Sequence, residues 1–409
     1  MSPFDTSVPV VVLRPDHHGS LCLIRTLGRL GVEVYGVGAD SESPGMVSRY
    51  CRQKFLLSQN GDANDLVSFL QEVSRKIGRR PILSCTTDVS STFIADNAAQ
   101  LKESFLFPDT SRTLVQSLCD KKLMYFLCKK HGIPTAETAF PQSRQDVKEF
   151  LSSGPVFPIM LKGIDGSALE LRGQPRMVIV RNPQELLEKY DQMEDPAKPT
   201  LMLQEYIPGG DDSVWMFNGY FNENSDCLLG FAGQKLRQHP VYTGATSLGI
   251  CLPNEVVENT TKNFMKRIGY RGALDIGYRY DARKRQYKVL DVNPRVGATF
   301  RLFLATNGMD VVRAMYLDLT GQPVPSAPAC EHRKWINEKG DLISFYDYRR
   351  DGKLKFTDWV RSFRGVQEGA WFALDDLRPF ALMLRDMAGI VANWAARKLY
   401  FGRRGGRKP

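Results

Sequence analysis

The sequence lacks the features that would mark a disulfide-stapled, zinc-binding or membrane-spanning protein. Its 409 residues hold only 5 histidines and 8 cysteines. Cys22, Cys51, Cys85, Cys119, Cys128, Cys227, Cys251 and Cys330 form no C-x-x-C pair and have no clustered histidines beside them. That excludes a zinc site and a disulfide framework, and fits a reducing cytosol. No basic segment followed by an apolar core opens the chain, so no secretory signal is expected. The longest uncharged run near the end, Met387 to Ala396, is ten residues, about half a membrane span. With 23 prolines and no low-complexity tract, neither disorder nor a collagen-like repeat is indicated. No Gly-rich dinucleotide fingerprint follows the first strand, which argues against NAD.

What is there is a globular composition, 43% hydrophobic and 24% charged. At roughly 150 residues per domain, the length suggests two or three packed units. The net charge is +10, but Arg397, Lys398, Arg403, Arg404, Arg407 and Lys408 supply much of it from a tail without acids. The body has no basic, aromatic-interleaved stripe, so no nucleic-acid partner is expected. The tail suits an anionic membrane surface, an acidic partner or simple solubility. The preceding segment puts Phe380, Leu384, Met387, Val391 and Trp394 near one helical face, compatible with an interfacial helix or with one docked on its own domain.

The periodicity predicts a strand at 8–13, a helix at 21–30 and a strand at 32–37, a βαβ start. A further strand at 81–85 ends in Thr86, Thr87 and Asp88, the end at which open parallel sheets bind ligands. A helix at 120–130 stops at His131-Gly132-Ile133-Pro134. Strands at 159–162 and 176–180 enclose a Gly/Ser loop from Gly163 to Gly173, read as a hairpin-like lid. Strands follow at 201–207, 214–217 and 228–234. A helix at 255–268 precedes a hairpin, 272–280 and 286–292, a helix follows at 310–319, and a Pro-rich linker spans 321–329.

The most chemically specific stretch is that hairpin, with Asp275 in one apolar strand and Asp291-Val-Asn293-Pro-Arg295 in the other. Asp291 and Asn293, two apart, share a face. Two carboxylates and an amide oxygen suit Mg²⁺ held against nucleotide phosphates. Phosphates call for cations, and Lys162 closes an apolar strand before a Gly/Ser loop, where an ammonium and backbone N–H groups can meet phosphate. Lys121, at a helix start, and Lys235 with Arg237, alternate residues of one strand, are further candidates. For each, a solvated surface position is the competing reading. Gln204-Glu205-Tyr206-Ile207 ends a strand that could offer backbone groups to a base edge, and Asp212 follows to reach ribose hydroxyls.

The ordered set resembles the ATP-grasp superfamily, and especially its carboxylate-amine ligase branch of D-aspartate ligase-like proteins. The resemblance runs over about residues 8–320. It implies a mixed α/β and α+β chain: a Rossmann-like pre-ATP-grasp domain at 1–115, an N-terminal lid subdomain at 116–200, a C-terminal subdomain with the metal site at 201–320, and a C-terminal helical extension with the basic tail at 321–409. It also implies ATP-dependent amide-bond formation through an acyl phosphate. Lys121 and Lys162 would hold the α/β-phosphates, Gln204 to Ile207 the adenine and Asp212 the ribose. Asp275, Asp291 and Asn293 would bind two Mg²⁺, or Mn²⁺ in their place, and Lys235, Arg237 and Arg295 would steady the transferring phosphoryl group and the acyl phosphate. Asp291 departs from the family, which usually has Glu there, and bulky Leu169 and Leu171 with acidic Glu170 sit in the lid loop.

His17, His18, Ser20, Thr87 and Asp88, at the loop ends of the first sheet, would face a substrate, though capping explains Ser20 and Asp88 equally well. Expected partners are small carboxylate and amine molecules, one an amino acid or carrier-, lipid- or glycan-linked. The expected location is the cytoplasm, including the inner membrane face. A non-catalytic or regulatory ATP-binding protein, including one at a membrane surface, is the alternative reading.

Overall fold

The computed structural model describes residues 4–58, 62–164, 166–195 and 197–389. The first unit runs β1 (Val10–Leu13), α1 (His18–Gly28), β2 (Val34–Gly38), β3 (Cys51–Leu56), α2 (Ala63–Ile77), β4 (Ile82–Cys85), α3 (Asp88–Asp96) and α4 (Ala98–Leu101). Its strands form a parallel sheet in the order β3-β2-β1-β4. β1, β2 and β4 are buried along their whole length, as apolar runs covered on both faces must be. β3 is missing from the expectation because it is an edge strand whose Arg52, Gln53 and Lys54 are exposed. α2 carries two local signals that the expectation did not use, its capping box, Asp62 with Asp65, and a buried stripe of Val67, Leu70 and Val73.

Two helices, α5 (Arg112–Cys119) and α6 (Lys121–Lys130), lead to the second unit: β5 (Thr138–Ala139), α7 (Arg144–Ser152), β6 (Ile159–Gly163), α8 (Gly166–Leu171), β7 (Met177–Val180), α9 (Pro183–Met193) and β8 (Leu201–Glu205). Here the sheet order is β5-β8-β6-β7, antiparallel throughout. A helix therefore occupies the loop expected between β6 and β7. β8 is hydrogen-bonded into this sheet, so the expected boundary at 200/201 gives way to one after Glu205.

The third unit comprises β9 (Val214–Phe221), β10 (Cys227–His239), β11 (Ala245–Cys251), α10 (Glu255–Ile268), β12 (Gly272–Asp281), β13 (Gln286–Asn293), α11 (Val311–Leu319), β14 (Lys334–Ile336), α12 (Glu338–Arg350), α13 (Phe356–Ser362) and β15 (Val366–Gly369). Its seven strands are ordered β13-β12-β9-β10-β11-β14-β15. The segment after residue 320 thus brings two strands as well as helices. β14 pairs antiparallel with β11, and β15 parallel with β14.

That segment is also fastened to the first unit. Arg25 and Asp376, both almost fully buried, pair at 2.9 Å, while Asp375 meets Arg29 and the Tyr50 hydroxyl at 2.7 and 2.6 Å. Of the apolar stripe expected near the end, Phe380 and Met387 pack on the core and Leu384 is exposed. Val391, Trp394 and the basic tail lie outside the described residues. Among the described residues, no helix is long and apolar enough to cross a membrane.

Candidate active site

The strand register alone gathers one set of polar side chains. Asp275 pairs with Asn218 on β9 and with Asn293 on β13, while Gly277 pairs with Met216 and Asp291. Met216 pairs with Gly233, two residues before Lys235. Paired residues share a face, and so do residues two apart. Asn218, Lys235, Asp275, Asp291 and Asn293 therefore stand on one face of the large sheet.

The contacts agree with the register. Asn293 Nδ2 donates to Asp291 Oδ2 and to the Asp275 carbonyl, both at 3.2 Å. Asn218 Nδ2 donates to Asp275 Oδ1 at 2.9 Å, and its own Oδ1 is buried without a partner. A Cβ at Gly277 would lie 2.2 Å from Asp291 Oδ1, so glycine there leaves the carboxylate its present position. Burial pushes the Asp275 carboxyl up; Arg295 opposes this and Asp291 adds to it. Crowded carboxylates with an unpaired amide oxygen form an oxygen-only donor set, which fits a hard divalent cation such as Mg²⁺. Asn218 is the residue the sequence reading missed. Its signal is a lone amide in the apolar run Trp215-Met-Phe-Asn-Gly-Tyr-Phe.

Cations face this set. Burial, with Lys121 nearby, pulls the Lys162 ammonium down to about 8, against the pull of Asp291. Among the described residues the Lys162 ammonium makes no hydrogen bond or ion pair, while its backbone sits in the β6 ladders. Lys121 donates to the carbonyls of Gly163 and Ile164 at 3.2 and 2.8 Å, holding α6 to the start of the lid loop. Lys235 is also lowered by burial, opposed by Asp291, Asp275 and Asp211, and donates to the Gly244 carbonyl at 3.0 Å. Arg295 pairs with Asp88 at 2.9 Å and with Asp275 at 3.4 Å, joining the first unit to the carboxylates.

Several expected residues are engaged elsewhere. Arg237 is buried in an ion pair with Asp341 of α12, at 2.7 Å, so the phosphoryl role expected for it is corrected. Its strand bulges after Lys235: Lys235 faces Gly249 and Arg237 faces Leu248, leaving Leu236 as an extra residue. One added residue turns the following side chain to the other face. Gln204 is likewise corrected as a base-edge contact, since β8 is flanked on both sides and the Gln204 amide donates to Thr138 at 3.1 Å. Glu205 ties the two sheets together, accepting from Lys288 at 2.6 Å and from Arg283 at 2.7 Å. Tyr206 and Ile207 follow β8 outside its ladders, and the Asp212 side chain is exposed beyond them. Neighbouring Asp211 is held by Gln238 at 2.7 Å and by Tyr348 of α12.

The expected substrate residues divide in the same way. Ser20 is buried against Thr86 at 2.6 Å and cannot touch a ligand, which corrects that expectation. Thr87 caps α3, and His17 caps α1 while contacting Thr86. His18 lies 5.9 and 6.2 Å from the rings of Trp335 and Trp371, and burial pulls its imidazole down to about 3.

Comparison with known proteins bears on the fold. Residues 252–323 match the ATP binding domain of the carbamoyl-phosphate synthase L chain. The chain is 24% identical over 247 residues to a D-aspartate ligase of Enterococcus faecium, a match covering 58% of each protein. Among solved structures, N5-carboxyaminoimidazole synthetase from Staphylococcus aureus complexed with ADP superposes with a TM-score of 0.63 at 12% identity, covering 86% of this chain and 88% of that one. An L-amino acid ligase from Bacillus licheniformis gives 0.59 at 12% identity, covering 77% and 75%. The chain has the ATP-grasp fold, as its motifs imply.

Proposed function

We propose that this chain is an ATP-dependent carboxylate-amine ligase, using Mg²⁺ and joining two small molecules, one of them an amino acid. The observation that carries the reading is the gathering of Asp275, Asp291, Asn293 and Lys235 on one sheet face, with Lys162 of the neighbouring sheet in electrostatic reach of Asp291. The E. faecium relative is a D-aspartate ligase, which makes acidic D-amino acids the first amine or carboxylate substrates to test.

Phosphoryl transfer needs positioning and neutralised charge rather than a protein nucleophile. In the proposed reaction a carboxylate oxygen of one substrate bonds to the γ-phosphorus of ATP and ADP leaves. The amine nitrogen of the other then bonds to the acyl carbon, phosphate departs, and the nitrogen gives up a proton. Asp275, Asp291 and Asn293 would hold Mg²⁺, which when bound neutralises phosphate charge and polarises phosphoryl oxygens. Lys162 and Lys121 hold the inner phosphates, and Lys235 and Arg295 lie beside the transferring group. Tyr206 and Ile207 border the base, and Asp212 is free to accept from ribose hydroxyls.

The test is ADP release by the purified chain with Mg²⁺-ATP and pooled L- and D-amino acids, with mass spectrometry for a condensed product. One pool should stimulate ADP release, and the product mass should equal the two substrates less one water. Lys162→Ala or Asp291→Ala should lower that turnover on the order of 10² to 10³-fold, the scale of losing one transition-state charge partner. Full turnover in both variants would refute the site. Tight ATP binding with no stimulated ADP release by any pool or lipid-linked acceptor would favour the regulatory alternative.

A further inference from the structure

The face formed by α12 and α13 exposes four apolar side chains. On α12, Leu342 and Tyr346 stand four residues apart and are exposed at 48% and 61%. On α13, Phe356 and Val360 repeat the spacing at 54% and 47%. Residues four apart share a helix face, so each helix presents an apolar pair to solvent. The two helices are locked to one another beneath those pairs. Phe345 stacks on Trp359 with ring centroids 4.4 Å apart, and lies 6.1 Å from the Phe356 ring. Trp359 Nε1 donates to buried Asp341 at 2.8 Å, and Phe363 packs edge-on against Trp359 at 4.7 Å. The exposed apolar groups therefore stand on a rigid aromatic base.

Cations neighbour them in sequence. Arg349, Arg350, Lys353, Lys355, Arg361 and Arg364 are all exposed. The exposed acids in the same stretch are Asp351 and Asp358, each already paired, with Arg350 at 3.3 Å and Arg361 at 3.4 Å. Among the described residues Lys353 and Lys355 make no ion pair, and they lie three and one positions before Phe356. Exposed aromatic and aliphatic groups with basic residues near them in sequence match the chemistry of an anionic bilayer surface. Rings and aliphatic chains enter the headgroup region there, while long basic side chains reach lipid phosphates. An acidic protein partner would satisfy the charges, but it would leave the four exposed apolar groups without a stated counterpart.

We propose that the α12–α13 face docks on an anionic lipid bilayer, with Leu342, Tyr346, Phe356 and Val360 entering the headgroup layer and Lys353 and Lys355 contacting lipid phosphate. This goes beyond the ligase reading and does not depend on it, because no residue of the face belongs to the candidate active site.

The experiment is co-sedimentation of the full chain with phosphatidylcholine vesicles, with and without phosphatidylglycerol, at low and high salt. Binding is expected to the phosphatidylglycerol vesicles, weakening as salt rises. Phe356→Glu with Val360→Glu should weaken it more than tenfold. Lys353→Gln with Lys355→Gln should weaken it about fivefold for each charge removed. Lys353 and Lys355 make no ion pair among the described residues and are exposed, so their variant should keep the parent's thermal midpoint and ADP-release activity. The Phe356 ring also touches Phe345 and Trp359, so the thermal midpoint of its variant is measured beside its binding, and the lysine variant decides if that midpoint falls. Absence of vesicle binding by the parent chain overturns the proposal. So does binding that is unchanged in both variants, which would assign the contact to the basic tail. A lipid-free dimer, seen by sedimentation velocity and abolished by Phe356→Glu with Val360→Glu, would make the face a contact between copies and also overturn it.

Discussion

Lys235 and Arg237 lie two residues apart on one strand and turn to opposite faces of the sheet. Lys235 faces Asp275 and Asp291, while Arg237 pairs with Asp341 at 2.7 Å on the helical side. Substitution should therefore separate them. Lys235→Met should lower ligase turnover on the order of 10²-fold with the thermal midpoint kept. Arg237→Met should strand a buried carboxylate and cost about 3–5 kcal/mol of stability. Activity assays paired with urea unfolding distinguish the two, and equal effects of both changes on turnover would contradict the bulge as the deciding feature.

The Lys162 ammonium, held down to about 8 by burial and by Lys121, gives a pH signature. An anionic phosphate beside it favours the charged form, so nucleotide binding near pH 8 to 9 should draw protons from buffer. The sign follows from the shift: free protein is partly deprotonated there and the complex is protonated. Calorimetry of ATP binding in buffers of different ionisation enthalpy should show net proton uptake, which Lys162→Met should abolish. Uptake that persists in Lys162→Met would assign the proton to another group.

Gly277→Ala places a methyl where Asp291 Oδ1 now lies, 2.2 Å from the ideal Cβ. The carboxylate can swing away at little cost to the fold, but it then leaves its partners. The apparent Mg²⁺ requirement should rise about tenfold or more, with unfolding unchanged and activity partly restored by excess Mg²⁺. An unaltered Mg²⁺ titration would remove Asp291 from the donor set.

Arg25 and Asp376 fasten the C-terminal segment to the first unit from inside, and the Arg25 guanidinium also donates to the carbonyls of Trp371 and Asp376 at 2.9 and 2.8 Å. Asp376→Ala leaves that guanidinium buried without its counter-ion. A loss of about 3–5 kcal/mol is expected in chemical denaturation, with proteolysis increased first around 370–389. Wild-type resistance to both would show the clasp to be dispensable.

Much of the candidate site was readable because strand chemistry is local. A carboxylate in an apolar strand, as at Asp275, has to be used for something, and the two-residue spacing of Asp291 and Asn293 puts both on one face. The βαβ start and the Gly/Pro stop after α6 are readable for the same reason. Arg237 misled because period-two reasoning assumes an unbroken strand, and the residues Gln234 to Gln238 carry no mark of the bulge. Asn218 was passed over because its role depends on a partner 57 residues away. β14 and β15 are three and four residues long, too short for any periodicity, and exist as strands only because β11 offers an open edge.

By itself, then, the sequence determined which stretches become buried strands, where α6 ends, and that two carboxylates, an amide and several lysines are available for phosphate chemistry. Apolar runs, Gly/Pro stops and residue spacing act over a few residues and need no partner. Only the tertiary structure decided which of the cations join the carboxylates. Lys235 and Lys162 are brought in by strand register and by the approach of two sheets, while the same register sends Arg237 to Asp341 and Glu205 to Lys288. Those outcomes depend on pairing between distant strands, and one unpaired residue, Leu236, is enough to reverse a face.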